Sequence, residues 1–198
     1  MKLVLATQNP KKLKEMNEIL SHLGVEVVSE AELGVRIEVE ETGDTFTDNA
    51  RLKATAVMQA TGLPAVADDS GLCVDALNGG PGVYSARFGG EGLDDKGRYT
   101  LLLEMLRGQT DRAAHFHTSI VCAFPNGDVL VCEGECPGTI AFAPMGEGGF
   151  GYDPVFFVPE LRKTFGQLTA EEKASVSHRG KALRAFAAAL DDYLKGNE

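Results

Sequence analysis

Positive charge is scarce in this sequence: 19 Lys and Arg stand against 29 Asp and Glu, a formal net charge of −10 over 198 residues. Such a surface repels nucleic-acid backbones, so a long polyanion is not an expected partner, whereas a small anion can still bind where a few cations converge. No apolar run approaches the length that spans a bilayer, and no membrane partner is expected. Among the four cysteines (Cys73, Cys122, Cys132, Cys136) there is no C-x-x-C pair. With no secretory segment in the opening residues, they read as reduced core thiols of a cytoplasmic protein. A zinc site recruiting His115, His117 and Cys122 is disfavoured, because His115-Phe116-His117 alternates as a half-exposed strand does. Internal repeats, low-complexity tracts and linker-like composition shifts are also lacking. With 43% hydrophobic and 24% charged residues, the chain is expected to form a single α/β domain, residues 1–198, with a core of its own.

Several active-site signatures are missing as well. There is no G-x-x-x-x-G-K-[ST], which removes P-loop chemistry, and no G-x-S-x-G elbow to make Ser70 a hydrolase nucleophile. Gly146-x-Gly148-x-x-Gly151 matches the dinucleotide fingerprint literally, but Tyr152-Asp153-Pro154 follows, and proline opposes a helix starting there. An aspartyl-nucleophile phosphatase would pair two aspartates around one residue; counting from Asp68, the second place is Ser70.

What is present begins with Pro64-Ala-Val-Ala-Asp68-Asp69-Ser70-Gly71. A short apolar run meets two adjacent carboxylates and then a Ser-Gly turn signal. That predicts a buried strand over 64–69 delivering acids to its carboxyl edge, where open α/β sheets place their sites. Carboxylates at such an edge are costly to desolvate unless a cation or donors compensate, and Mg²⁺ takes oxygen ligands that it shares with substrate phosphates. A solvated turn is the plain alternative.

Alternating elements surround this segment. A strand is expected at 2–6, a helix at 11–23 with Leu13, Met16, Leu20 and Leu23 on one face and Gly24 as its stop, and a strand at 25–28. Thr45 with Asp48 resembles an N-cap opening a helix that runs to Gly62, and a further helix covers about 95–106. The second half turns to β structure: 116–124 and 129–135 flank Pro125-Asn-Gly-Asp128, a hairpin signal, and a short strand covers 155–158. Thr169-Ala-Glu-Glu172 is a capping box, and 181–194 form the closing helix. The sum is a mixed sheet covered by helices.

The candidate chemistry is scattered but complementary. Thr7-Gln8-Asn9-Pro10-Lys11-Lys12 joins the first strand to the first helix, where amides and two lysines suit phosphate oxygens. One of Glu38, Glu40 and Glu41 could join Asp69 in holding Mg²⁺. Lys53 lies opposite the apolar stripe of its helix. Phe150 and Tyr152 sit in a glycine-rich loop, Gly148-Gly-Phe-Gly-Tyr-Asp153, where a flat base can approach the backbone and stack. Lys173 and Ser177-His178-Arg179-Gly180 add cationic or titratable groups near one helix junction, and the fork of Arg179 suits carbonyl or phosphate acceptors.

In order, Leu5-Ala-Thr-x-Asn9, Glu41-Thr-Gly through Asn49-Ala-x-x-Lys53-Ala, Ala67-Asp-Asp-Ser-Gly-Leu72, Pro81-Gly-Val-Tyr-Ser-Ala-Arg87, Gly149-Phe-Gly-Tyr-Asp-Pro154, Glu172-Lys173 and Ser177-His-Arg-Gly180 resemble the inosine triphosphate pyrophosphatase family over essentially the whole chain. Gln8 departs from the glycine that bacterial members often carry there. The resemblance implies an elongated mixed α/β fold of two lobes with a central cleft, homodimeric, acting on deaminated purine nucleoside triphosphates. It implies Thr7, Gln8, Asn9, Pro10, Lys11 and Lys12 as the triphosphate loop, and Lys53 near the phosphates. Glu40 and Asp69 become Mg²⁺ ligands, Asp69 also the proton acceptor, a role that the residues by themselves leave open between Asp68 and Asp69, and Ser70 a substrate contact. Phe150, Gly151, Tyr152, Asp153, Lys173, His178 and Arg179 become the base and sugar site. The rivals are a pyrimidine or modified-nucleotide pyrophosphatase with the same phosphate machinery, and a nucleotide-binding regulator without catalysis.

Overall fold

The computed structural model describes residues 1–7 and 9–196, so Gln8 of the expected phosphate loop lies outside the described residues. The elements run β1 (Lys2–Leu5), α1 (Pro10–Leu20), β2 (Glu26–Ser29), α2 (Phe46–Thr61), β3 (Ala65–Val74), β4 (Gly80–Pro81) and α3 (Asp95–Met105). They continue with β5 (Ala113–Ala123), β6 (Val129–Ile140), β7 (Phe156–Val158), β8 (Lys163–Thr164), α4 (Ala170–Val176) and α5 (His178–Gly196). The strands form an open mixed sheet in the order β2-β1-β3-β5-β6-β7-β8, with β4 against β3. None of the described helices is long and apolar enough to cross a membrane.

The chain divides into two compact units, one of residues 1–69, 118–134 and 181 onward, the other of 70–117 and 135–180. In the first, β1 pairs in parallel with β2 (Leu3 with Val27) and with β3 (Val4 with Ala65, Leu5 with Val66). Successive strand side chains face opposite ways. Leu3, Leu5 and Val66 therefore pack with Met16 and Leu20 of α1 and Leu183, Phe186 and Leu190 of α5. Val4 and Ala65 pack on the other face with Val57 of α2, and Ala67 with Ala50 and Ala54. In the second unit, Leu72, Val74, Leu102, Phe116, Ile140, Phe156 and Phe165 form the core. Each fully buried Leu or Phe there contributes about 1.5–3 kcal/mol.

Local chemistry explains the boundaries. Asn9 caps α1, its side chain accepting from the Lys11 N–H with Pro10 at the first helical position, and the chain leaves through Gly24 at φ +65°. Thr45 caps α2 by accepting from the Asp48 N–H, and Thr169 with Glu172 completes the capping box of α4. The hairpin closes as expected, Phe124 N–H donating to Asp128 O. The closing helix starts three residues earlier than the periodicity of its apolar face indicates, because the Ser177 hydroxyl accepts from Gly180 N–H and draws His178 and Arg179 into the first turn.

Other boundaries differ as well: α1 stops at Leu20 rather than 23, and β6 runs on to Ile140 rather than 135. The acidic strand does not break at Ser70-Gly71 but continues to Val74. Leu72 and Val74 bury completely, the Leu72 N–H finds the Ser85 hydroxyl at 2.9 Å, and Cys73–Val74 pair with β4. Core burial beyond the carboxylates overrides the local turn signal. The site logic survives in altered form, since β1 ends at Leu5 and the acids lie just past the parallel pairing of β3.

Candidate active site

In the first unit, the period of β3 sends its two aspartates to different helices. Asp68 shares the face of Val66 and meets α1: Lys12 Nζ lies 2.7 Å from its Oδ2, and the side chain is 2% exposed. Asp69 shares the face of Ala67 and meets α2. Asn49 Nδ2 donates to Asp69 Oδ2 at 3.2 Å, and Lys53 Nζ stands 3.8 Å from Oδ1. Lys53 also donates to the Asp68 carbonyl at 2.9 Å and to Glu41 Oε1 at 2.6 Å. Lys53 is thus turned inward onto this cluster with a side chain only 20% exposed, its ammonium compensating the acids.

The loop before α1 is pre-shaped by its own polar groups. Thr7 Oγ1 accepts from Asn9 N–H at 3.2 Å and Asn9 Oδ1 from Lys11 N–H at 2.9 Å. Lys11 is exposed, and Lys12 reaches the acids. Lys12 and Lys53 converge on Asp68, one at its carboxylate and one at its carbonyl. Both ammoniums are held by carboxylates, two cations against Asp68, Asp69 and Glu41, so an anion binds here by drawing the lysines away from those acids or together with a divalent cation.

The second unit assembles the aromatic and basic group. Asp153 is 3% exposed and accepts from Phe150 N–H at 2.9 Å and from Lys173 Nζ at 2.5 Å. Lys173 Nζ lies 4.6 Å from the Phe150 ring centroid and 5.3 Å from that of Phe165. Phe150 is 76% exposed, so its ring rests near a cation while remaining accessible to a planar ligand. Tyr152 is a core residue instead. Its hydroxyl donates to Ser85 O at 2.7 Å, and burial pushes its pKa far up. Gly151 N–H is held by Asp95 Oδ2 of α3 at 2.7 Å. His178 stacks on Phe116, centroids 4.6 Å apart, and Arg179 follows in the same helical turn.

Gly149 is required where it stands, at φ +77°, because a Cβ there would run into the Asp153 carboxylate. Gly149→Ala is expected to cost about 1–3 kcal/mol. The check is a denaturant unfolding curve, and one superimposable on the parent's contradicts it.

The structure therefore gathers Lys12, Lys53 and the Asp68–Asp69 pair in the first unit, and Phe150, Asp153 and Lys173 in the second. Ser70 is half-buried on β3. Of the acid-rich segment, Glu41 reaches Lys53, while the Glu40 side chain is exposed. No group of three or more His, Cys, Asp and Glu side chains gathers around a point among the described residues. The donor set, carboxylates with no imidazole or thiolate, fits Mg²⁺, which is commonly held by one or two carboxylates together with substrate phosphates. The four cysteines form no disulfide, three of them are buried, and burial pushes Cys122 up to about 12. The sequence assigns no role to Asn49 or Asp95, although Asn49 opens the Asn49-Ala-x-x-Lys53-Ala block. Asn49 precedes Lys53 by four residues on α2, one turn away on the same face, and that spacing was the available signal.

Fold and cluster together define an α/β protein in which paired lysines and carboxylates meet at the end of parallel strands. The chain belongs to the Ham1 family, whose sequence profile matches residues 3–189. It is 50% identical to a dITP/XTP pyrophosphatase of an Exiguobacterium species, over 99% of this chain and 100% of that one. It is 53% identical to a dITP/XTP pyrophosphatase of Thermus thermophilus, over 97% of this chain and 93% of that one. The structure of a HAM1 protein from Coxiella burnetii superposes with a TM-score of 0.93 at 43% identity, covering 97% of this chain and 99% of that one. The family resemblance read from the ordered sequence blocks is borne out.

Proposed function

We propose that the chain is a nucleoside triphosphate pyrophosphatase that converts deaminated purine nucleotides, dITP, ITP and XTP, to the monophosphate and pyrophosphate, removing them from the nucleotide pool. The observation that carries the reading is the convergence of Lys12 and Lys53 on Asp68, with Asp69 on the opposite face of the strand, in a chain half identical end to end to relatives named dITP/XTP pyrophosphatase. Residues 1–198 act as one pyrophosphatase domain.

The roles follow from the chemistry of each group. Thr7 to Lys12 at the start of α1 and Lys53 bind the triphosphate, the lysines leaving their internal carboxylates for phosphate oxygens. Asp69 orients a water and takes its proton as the oxygen bonds to the α-phosphorus; the bridge to the β-phosphate breaks and pyrophosphate departs. Asp69 and Glu40 would hold Mg²⁺, which supplies charge neutralisation on the phosphate oxygens. Ser70 contacts the substrate beside the base. Phe150 stacks on the purine, Gly151, Tyr152 and Asp153 shape that loop, Lys173 helps to hold base and sugar, and His178 and Arg179 offer donors to the six-position oxygen. Inosine and xanthine accept there; adenine presents an amine, so a buried donor facing it loses about 1–3 kcal/mol. Family resemblance supports a homodimer, and action on the nucleotide pool with thiols that form no disulfide supports work in the cytoplasm.

Pyrophosphate release from dITP, XTP, dTTP and dATP, with Mg²⁺ and after chelation, tests the reading. Rapid, Mg²⁺-dependent release from dITP and XTP with weak release from dATP is expected. Preference for dTTP would replace it with the pyrimidine enzyme, and no release from any substrate would replace it with a nucleotide-binding regulator.

A further inference from the structure

Asn49 is completely buried, on the first turns of α2, and both ends of its side chain are in use. Its Oδ1 accepts from Gly43 N–H at 2.8 Å, and its Nδ2 donates to Asp69 Oδ2 at 3.2 Å. The orientation of the amide is forced, since a backbone N–H only donates and so takes the oxygen, which leaves the NH₂ for the carboxylate. The approach is close as well: a Cβ on Gly43 would stand 2.8 Å from Asn49 Oδ1 and 2.6 Å from the Asp48 Cβ. One buried amide thus ties the turn that ends the Glu38–Glu41 segment to the side chain of Asp69.

From this we infer that Asn49 is a positioning residue for the hydrolytic step. It sets the rotamer of the Asp69 carboxylate and registers the acidic segment against it, without itself touching the nucleotide. The inference rests on Asp69 being the group that takes the proton. Asp69 is also near Lys53, but a lysine on a flexible stem at 3.8 Å fixes no rotamer, whereas a buried amide held at its other end by backbone does. Outer groups that orient catalytic or metal-binding carboxylates typically contribute about 10–100-fold in activity or metal affinity.

Asn49→Asp separates positioning from mere support. An aspartate keeps size, shape and the acceptor for Gly43 N–H, and replaces the donor facing Asp69 with another acceptor. The expected result is a fall in kcat for dITP of about 10–100-fold with KM within about threefold of the parent and, in Asn49→Ala, which brings no new carboxylate to the cation, Mn²⁺ binding, followed by electron paramagnetic resonance without nucleotide, weakened over a similar range. Thermal unfolding monitored alongside confirms that the fraction assayed is folded. If the buried charge prevents folding, Asn49→Ala enters the same comparison without it, with the same expected split. Asp69→Asn is measured in parallel. If Asp69→Asn is inactive while the folded Asn49 variant keeps kcat and Mn²⁺ affinity within threefold, Asn49 only anchors the Gly43 turn and the inference is overturned with the reading intact. If Asp69→Asn itself turns over normally, the assignment of the base fails, and the inference with it.

Discussion

Replacing Asp69 by asparagine is expected to leave the fold intact and lower the rate of pyrophosphate release from dITP by about 10²–10⁴-fold. The substitution is isosteric and sits at a position anchored on both sides: Ala67 packs under α2, and Leu72 and Val74 are fully buried further along the strand. An asparagine oxygen still accepts from Asn49 Nδ2, so the local hydrogen bond at 3.2 Å can persist. What disappears is the charge and with it the capacity to take a proton from water or to ligate a divalent cation. Lys53, 3.8 Å away, loses one of its compensating carboxylates but keeps Glu41 and the Asp68 carbonyl. Steady-state release of pyrophosphate by a variant whose unfolding transition matches the parent's is the measurement. Turnover within a few-fold of the parent would remove Asp69 from the chemistry.

Much of this site was legible before any coordinates because its parts lie in segments with strong local signals. Thr45 announces a helix start, and the carboxylates follow an apolar run that had to be a strand. What that run hides is direction. Ala65, Val66 and Ala67 are all apolar and all buried, so sequence alone does not say which face is α1 and which is α2. Only the packing of Val66 with Met16 and of Ala67 with Ala50 and Ala54 reveals that Asp68 belongs to Lys12 and Asp69 to Asn49 and Lys53. The continuation of β3 was missed for a related reason. Ser70-Gly71 is a turn signal locally, and its cancellation depends on β4 and Ser85, which come later in the chain, beyond any local window. The acid that reaches Lys53 was equally hidden. Glu38, Glu40 and Glu41 lie in an irregular stretch without periodicity, and there a one-residue choice is made by distant contacts. Tyr152 looked as available for stacking as Phe150, and only the core position of its ring, with its hydroxyl on Ser85 O, separates the two.

Lys173→Met should destabilise the protein by about 3–5 kcal/mol near neutral pH, since it removes one partner of a buried ion pair. Methionine retains the stem against Phe165 and Phe150, which leaves the charge as the main thing deleted. Asp153 cannot compensate by reaching water, because its side chain is 4% exposed. Burial is the largest influence on its carboxyl and pushes its pKa up; Lys173 and the Phe150 N–H pull it back without cancelling the rise. A carboxyl whose pKa is higher folded than unfolded binds its proton more tightly in the native state. Its contribution to stability is therefore full below the ordinary value of 3.8 and is lost as pH rises through the folded value. Without Lys173 the carboxyl moves further up, and the window over which acid restores stability widens toward neutrality. The gap between variant and parent, read from denaturant unfolding between about pH 4 and about pH 8, should therefore shrink as the pH falls. Adding Asp153→Asn to the variant should recover part of the loss at neutral pH, because the amide still accepts from Phe150 N–H and brings no charge to bury. A gap that stays constant with pH would mean that Lys173 holds the loop through packing on the two rings, and that the Asp153 charge is neutralised by something other than its ammonium.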